Sequence, residues 1–113
     1  MPVPLHQAKA ELFRTLGHPA RIRVLELLQN GPRPVRDLLA EIDVEASNLS
    51  QQLAVLRRAG IVTSYRDGSL VMYRLSTTHV ADLLAVGRRL LGELLTDRDE
   101  LLVQLRSDTT TPS

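Results

Sequence analysis

Apolar positions recur along most of the chain at the spacing of helices, change to a strand-like pattern near residue 61, and are interrupted at glycine and proline. Ala8, Leu12, Phe13 and Leu16 lie three or four residues apart, which predicts a helix over about 5–16 that stops at Gly17-His18-Pro19. Proline is well suited to the first position of the helix that follows. That helix carries Ile22, Val24, Leu25, Leu27 and Leu28, is apolar enough to be the central core helix, and ends at Asn30-Gly31-Pro32. Pro34 opens a short third helix that buries Val35, Leu38, Leu39 and Ile42, and Asp43-Val44-Glu45 turns the chain into a fourth helix over about 46–59.

Two short helices joined by a tight turn make a helix-turn-helix plan. Gly60 ends the fourth helix. The runs 61–66 and 70–75 are rich in β-branched and aromatic residues and flank Asp67-Gly68-Ser69, which predicts a hairpin. From about 78 to 106 the pattern is helical again, with a capping opportunity at Thr96 or Asp97 that can interrupt it. The fold class expected is therefore mainly α with a small β-hairpin wing, a winged helix-turn-helix of five helices with the hairpin between the fourth and the fifth. One domain is expected over 1–106, with a disordered polar tail over 107–113.

Composition narrows the chemistry. The 113 residues, 43% hydrophobic, suffice for one core but leave apolar surface that a second copy would cover. The absence of cysteine removes disulfides, thiolate metal sites and thiol redox sensing. No apolar run has the length of a signal peptide or a membrane span, so the expected location is the cytoplasm, with no membrane partner. The net charge of +1 hides an asymmetry, because residues 14–74 hold nine arginines against six acids, whereas residues 75–113 hold four against six. The middle of the chain is the part suited to a polyanion.

On a helical wheel of the fourth helix, Leu49, Leu53 and Leu56 fall on one side and must face the core. Ser47, Gln51 and Arg58 fall opposite, flanked by Ser50 and Asn48. Short and amide-bearing side chains near a helix N-terminus can reach base edges while the free N–H groups favour phosphate. No acid lies between Ala46 and Gly60, and a carboxylate there would be repelled by phosphate. A merely solvated face looks the same in isolation; the short helix before it and the arginine-bearing hairpin after it favour DNA. Arg57, Arg58, Arg66 and Arg74 are the candidates for the sugar-phosphate backbone, where contacts fix register without reading sequence. Asp67 at the hairpin tip serves turn chemistry.

The segments LGHPARIRVLELL, SNLSQQLAVLRRAGIV and RDGSLVMYRL, in this order and spacing, resemble the ArsR/SmtB family of bacterial winged-helix repressors over about residues 10–95. The resemblance implies a dimer through the first and last helices, an operator released by an inducer, here unidentified, and DNA-reading residues at Ser47, Asn48, Ser50 and Gln51. It also locates departures. Where thiophilic-metal sensors of the family carry Cys-Val-Cys-Asp, this chain reads Pro34-Val35-Arg36-Asp37. At a second family metal site the matching positions are Thr77, His79, Leu90 and Glu93, of which only His79 and Glu93 are potential ligands. Zinc prefers four donors, or three and water, so no intact metal-sensing site and no cofactor are expected. His6, His18 and His79 receive no chemical role.

Leucines at 83/84, 90/91 and 94/95 are doubled at about seven-residue intervals, more than a monomer core uses. The expected homodimer interface is Leu12, Leu16, Leu83, Leu84, Leu90, Leu91 and Leu94. Two readings compete with a homodimeric repressor on double-stranded operator DNA. One is a winged-helix module that binds another protein; its weakness is the acid-free fourth helix. The other is an enzyme, for which the chain has no nucleophile elbow, phosphate loop or paired carboxylates.

Overall fold

The computed structural model describes residues 3–95 and 103–107. The chain divides into two compact units, the first ending at Val80 and the second beginning at Ala81. The first holds α1 (Leu5–Leu16), α2 (Pro19–Leu28), β1 (Arg33–Pro34), α3 (Val35–Glu41), α4 (Ala46–Arg58), β2 (Val62–Asp67) and β3 (Leu70–Leu75). Most of α5 (His79–Leu94) lies in the second.

Local chemistry accounts for these boundaries. At the start of α2, Pro19 occupies the first helical turn, and His18 Nδ1 accepts the N–H of Ala20 at 3.1 Å, capping the helix. Beneath the surface, Val24 and Leu25 of α2, Leu38 of α3, Leu49, Leu53 and Leu56 of α4, and Val62 of β2 are all less than 2% exposed. On α2 and α4 these are the apolar faces read from periodicity, whereas on α3 Leu38 and Ile42 are buried as expected but Val35 and Leu39 are only half-buried, because so short a helix turns a single narrow edge to the core. Each such side chain is worth about 1.5–3 kcal/mol relative to exposure, and the three leucines of α4 fix the rotation of that helix about its axis.

The sheet has three antiparallel strands in the order β1-β3-β2, one more than the expected hairpin. Arg33 pairs with Tyr73 and Pro34 with Met72. Pro34 is thus extended (φ −76°, ψ 160°) and caps α3, whose first residue is Val35. Proline is tolerated on an edge strand such as β1, which has a neighbouring strand on one side only. Asp67 pairs with Leu70, so the hairpin loop is Gly68-Ser69 alone. Gly68 has φ +65° and, among the described residues, none other than glycine has positive φ, which makes the turn type II′, with glycine first.

In the second unit, Arg88 Nη2 donates to the carbonyl of Leu105 at 2.6 Å, and a Cβ at Gly92 would come within 3.2 Å of Leu105 Cδ2. Residues 103–107 are helical. The expected cap at Thr96 or Asp97 and residues 108–113 of the expected tail lie outside the described residues.

Candidate nucleic-acid interface

The residue before α4, Glu45, offers no side-chain hydrogen bond to the helix, although its carbonyl accepts the N–H of Leu49. The first-turn amide protons of α4 therefore carry no side-chain cap from this residue, the condition under which a helix N-terminus attracts an anion. Ser47, Ser50 and Gln51 are exposed on its first turns, and Arg57 and Arg58 are exposed at its last. Eleven residues separate Ser47 from Arg58, about 16 Å along the axis. The predicted residues of α4 thus form two clusters, an amide and hydroxyl group at one end and a guanidinium pair at the other. No acid interrupts them, although Asp43 and Glu45 stand exposed just before the helix.

Asn48 is placed differently from its neighbours. It is half-buried, and its Oδ1 accepts a hydrogen bond from Gln52 Nε2 at 2.8 Å. Gln52, 8% exposed, accepts in turn from Arg21 Nε at 2.7 Å, and Arg21 Nη1 donates to the carbonyl of Thr15 at 2.9 Å. Sequence reasoning missed Gln52 and Arg21. The signal was present, because Gln52 falls about 40° from Leu56 on the wheel, and an amide inside an apolar arc needs a partner.

Two devices join α4 to the wing. The N–H of Ile61 donates to the carbonyl of Leu56 and that of Gly60 to Arg57, both at 3.0 Å, with Gly60 at φ +77°. This is a Schellman motif, closed by the burial of Leu56 and Ile61. Ser76 Oγ then donates toward the carbonyls of Gly60 (2.7 Å) and Ile61 (2.9 Å), clamping the end of the wing against the end of the helix. Nearby, Arg57 Nη1 donates to Ser64 Oγ at 3.4 Å.

The wing arginines do not share a face. Arg66 pairs across the ribbon with Val71, and Arg74 with Thr63. Side chains alternate along a strand, so Arg66 projects with Ser64 and Val71 and Arg74 with Thr63 and Tyr65. Arg74 is also engaged: its guanidinium carbon lies 5.3 Å from the centre of the Tyr65 ring, and its Nε donates to Thr63 Oγ1 at 3.3 Å. Arg66 is exposed one pair before the tip.

A helix-turn-helix with an acid-free second helix and a three-stranded wing has direct counterparts. The chain is 51% identical to the HTH-type transcriptional regulator Rv0081 of Mycobacterium tuberculosis over 105 residues, 92% of each protein. The family model for bacterial regulatory proteins of the arsR family matches residues 18–64, from the cap of α2 into β2. The chain belongs to the ArsR family. It is a DNA-binding transcriptional regulator and not an enzyme. The crystal structure of Rv0081 matches this ArsR-family chain with a TM-score of 0.79 at 52% identity, over 86% of this chain and 98% of that one. The biofilm growth-associated repressor of Agrobacterium fabrum is 39% identical over 88 residues, covering 74% of this chain and 75% of the repressor. A homodimeric winged helix-turn-helix DNA-binding domain of Mycobacterium bovis, Mb0332, matches with a TM-score of 0.73 at 26% identity, over 83% of this chain and 87% of that one.

The positions at which the resemblance implies metal ligands carry few donor side chains in this chain. Among the described residues, no three side chains of histidine, cysteine, aspartate or glutamate come together as ligands. Pro34 and Arg36 stand where thiolates would be needed. Thr77 Oγ1 accepts the N–H of His79 at 3.2 Å and lies 3.0 Å from His79 Nδ1, so this pair serves the start of α5. Among the described residues, no helix is long and apolar enough to cross a membrane.

Proposed function

We propose that this ArsR-family regulator is a homodimeric repressor that works in the cytoplasm on an inverted-repeat operator, with α4 in the major groove and the wing along the backbone. The observation that carries the reading is the division of α4. Leu49, Leu53 and Leu56 are almost wholly buried, which turns Ser47, Ser50, Gln51 and Arg58 outward on a helix that contains no acid. Ser47, Ser50 and Gln51 sit at the end that can reach base edges, while Arg57, Arg58 and Arg66 supply the positive charge that phosphate contacts require.

Dimerisation is supported by apolar side chains that a single chain leaves open in each unit. In the first unit these are Leu5 (69% exposed), Leu12 (42%) and Phe13 (59%) on α1, which borders an open groove lined in part by Val3, Ala8, Leu12 and Ala59. In the second they are Val86, Leu90, Leu91 and Leu94. Leu83 and Leu84 are half-buried, and Leu16, 7% exposed in one chain, has little surface left for a partner. Two copies related by a two-fold axis would present their α4 helices to successive major grooves, about 34 Å apart.

The test is titration of the purified protein, at several salt concentrations, against a palindromic duplex from upstream of its own gene and a scrambled control. Gln51→Ala should cost about 1–3 kcal/mol on the specific duplex only, and Arg58→Ala should weaken both duplexes while lowering the salt slope by about one, each with thermal unfolding unchanged. Equal binding by all three proteins would place the DNA face elsewhere, and salt-insensitive function without DNA retention would favour a protein-binding module.

A further inference from the structure

The chain of hydrogen bonds behind α4 has a direction. Arginine can only donate, so the Gln52 oxygen must face Arg21 and its Nε2 must face Asn48. That in turn commits Asn48 Oδ1 to the interior side. The amide orientations of both residues are thereby set by a guanidinium that is itself anchored on the Thr15 carbonyl in the last turn of α1. What is left of Asn48 is its Nδ2. It has no hydrogen-bond partner among the described residues, and it is absent from the buried polar atoms that lack one, so it keeps access to solvent. It lies next to Ser47 and one turn from Gln51, on the edge of the outward face.

We propose that Asn48 meets the duplex solely as a hydrogen-bond donor, with Gln52 and Arg21 as the positioning residues that hold its carbonyl inward. This rests on the reading of α4 as the DNA-contacting helix. An asparagine that reads adenine with both amide atoms must turn its oxygen to the base as well. Here that oxygen already accepts from Gln52, and the side chain is matched instead to an acceptor: a phosphate oxygen, or the N7 or O6 of a purine edge. The network also explains a buried glutamine beneath a DNA-reading surface, since an amide with both ends satisfied avoids the cost of desolvation that an unpaired one would carry.

The experiment is a double-mutant cycle on Asn48→Ala and Gln52→Glu, read as affinity for a duplex selected from a random pool by the wild-type protein, and for a scrambled duplex of equal composition. Glutamate still accepts from Arg21 but offers Asn48 only acceptors, so the Asn48 amide must turn its oxygen outward. Asn48→Ala should weaken binding about tenfold in the wild-type background and leave it nearly unchanged in the Gln52→Glu background. The added charge affects both arms of the second comparison equally and cancels. A loss on both duplexes identifies phosphate as the acceptor, and a loss on the selected duplex alone identifies a base edge.

Equal cost of Asn48→Ala in both backgrounds, or no cost in either, overturns the proposal. An independent measurement needs no variant. In side-chain amide spectra of the full-length wild-type protein, the Asn48 NH2 protons should shift and gain exchange protection when the selected duplex is added, while the Gln52 NH2 protons are protected beforehand. Unmoved Asn48 signals at saturation would also overturn it. If the random pool yields no bound duplex, the DNA reading of α4 fails first, an outcome distinct from an additive cycle.

Discussion

Gly60 carries the change of direction between α4 and β2. Its φ of +77° is strained for a residue with a Cβ, and an added Cβ there meets nothing within 4 Å. The cost of substitution is therefore one of backbone conformation alone. Gly60→Ala should destabilise the protein by about 1–2 kcal/mol, and Gly60→Asn by less, because asparagine visits the left-handed region more readily; urea unfolding measures both. Equal losses would mean that packing, and not backbone conformation, sets the requirement. This position was legible in sequence, since a glycine just past the last periodic leucine is a helix stop. Ser76 was not, because its carbonyl partners Gly60 and Ile61 lie 16 and 15 residues away along the chain. The same distance effect hid Arg21, whose amide partner is 31 residues on.

Whole helices were easier to read than strands. The apolar period fixes which face of α2, α3 or α4 goes inward, and the core leucines sit where that period places them. A strand of two residues such as β1, one of them proline, has no period to detect. The wing shows a subtler limit. Had the loop been the three residues Asp67-Gly68-Ser69, Arg66 would pair with Leu70 and share a face with Arg74. With Asp67 paired to Leu70 instead, the register moves by one and the two arginines part. Their mutants should differ accordingly. Arg66→Ala should leave folding stability unchanged and lower the slope of log affinity against log salt by about one. Arg74→Ala should cost about 0.5–1 kcal/mol of stability through the lost Tyr65 stack. Denaturant unfolding alongside salt titration separates them, and indistinguishable profiles would show that the face assignment has no consequence for binding.

At the scale of the whole molecule, the second unit displays a surface that the single chain does not use. Val86, Leu90 and Leu94 recur every four residues along α5, at 49%, 53% and 70% exposure, with Leu83 seven residues before Leu90 on the same side. A stripe of this kind is costly in water, and removing one leucine from solvent is worth about 1.5–3 kcal/mol. If two copies meet through it, Leu90→Glu combined with Leu94→Glu withdraws four leucines from one interface and sets like charges against each other. Dimerisation should then weaken by at least about a thousandfold, read as a monomer by sedimentation at micromolar concentration. The fold should survive, because both side chains are exposed in the single chain. Affinity for a palindromic duplex should fall to that for a single half-site, since the second α4 is no longer delivered with the first. A double variant that still sediments as a dimer would remove α5 from the interface and leave the apolar residues of α1 to account for it; one that is monomeric yet binds the palindrome unchanged would separate dimerisation from DNA recognition altogether.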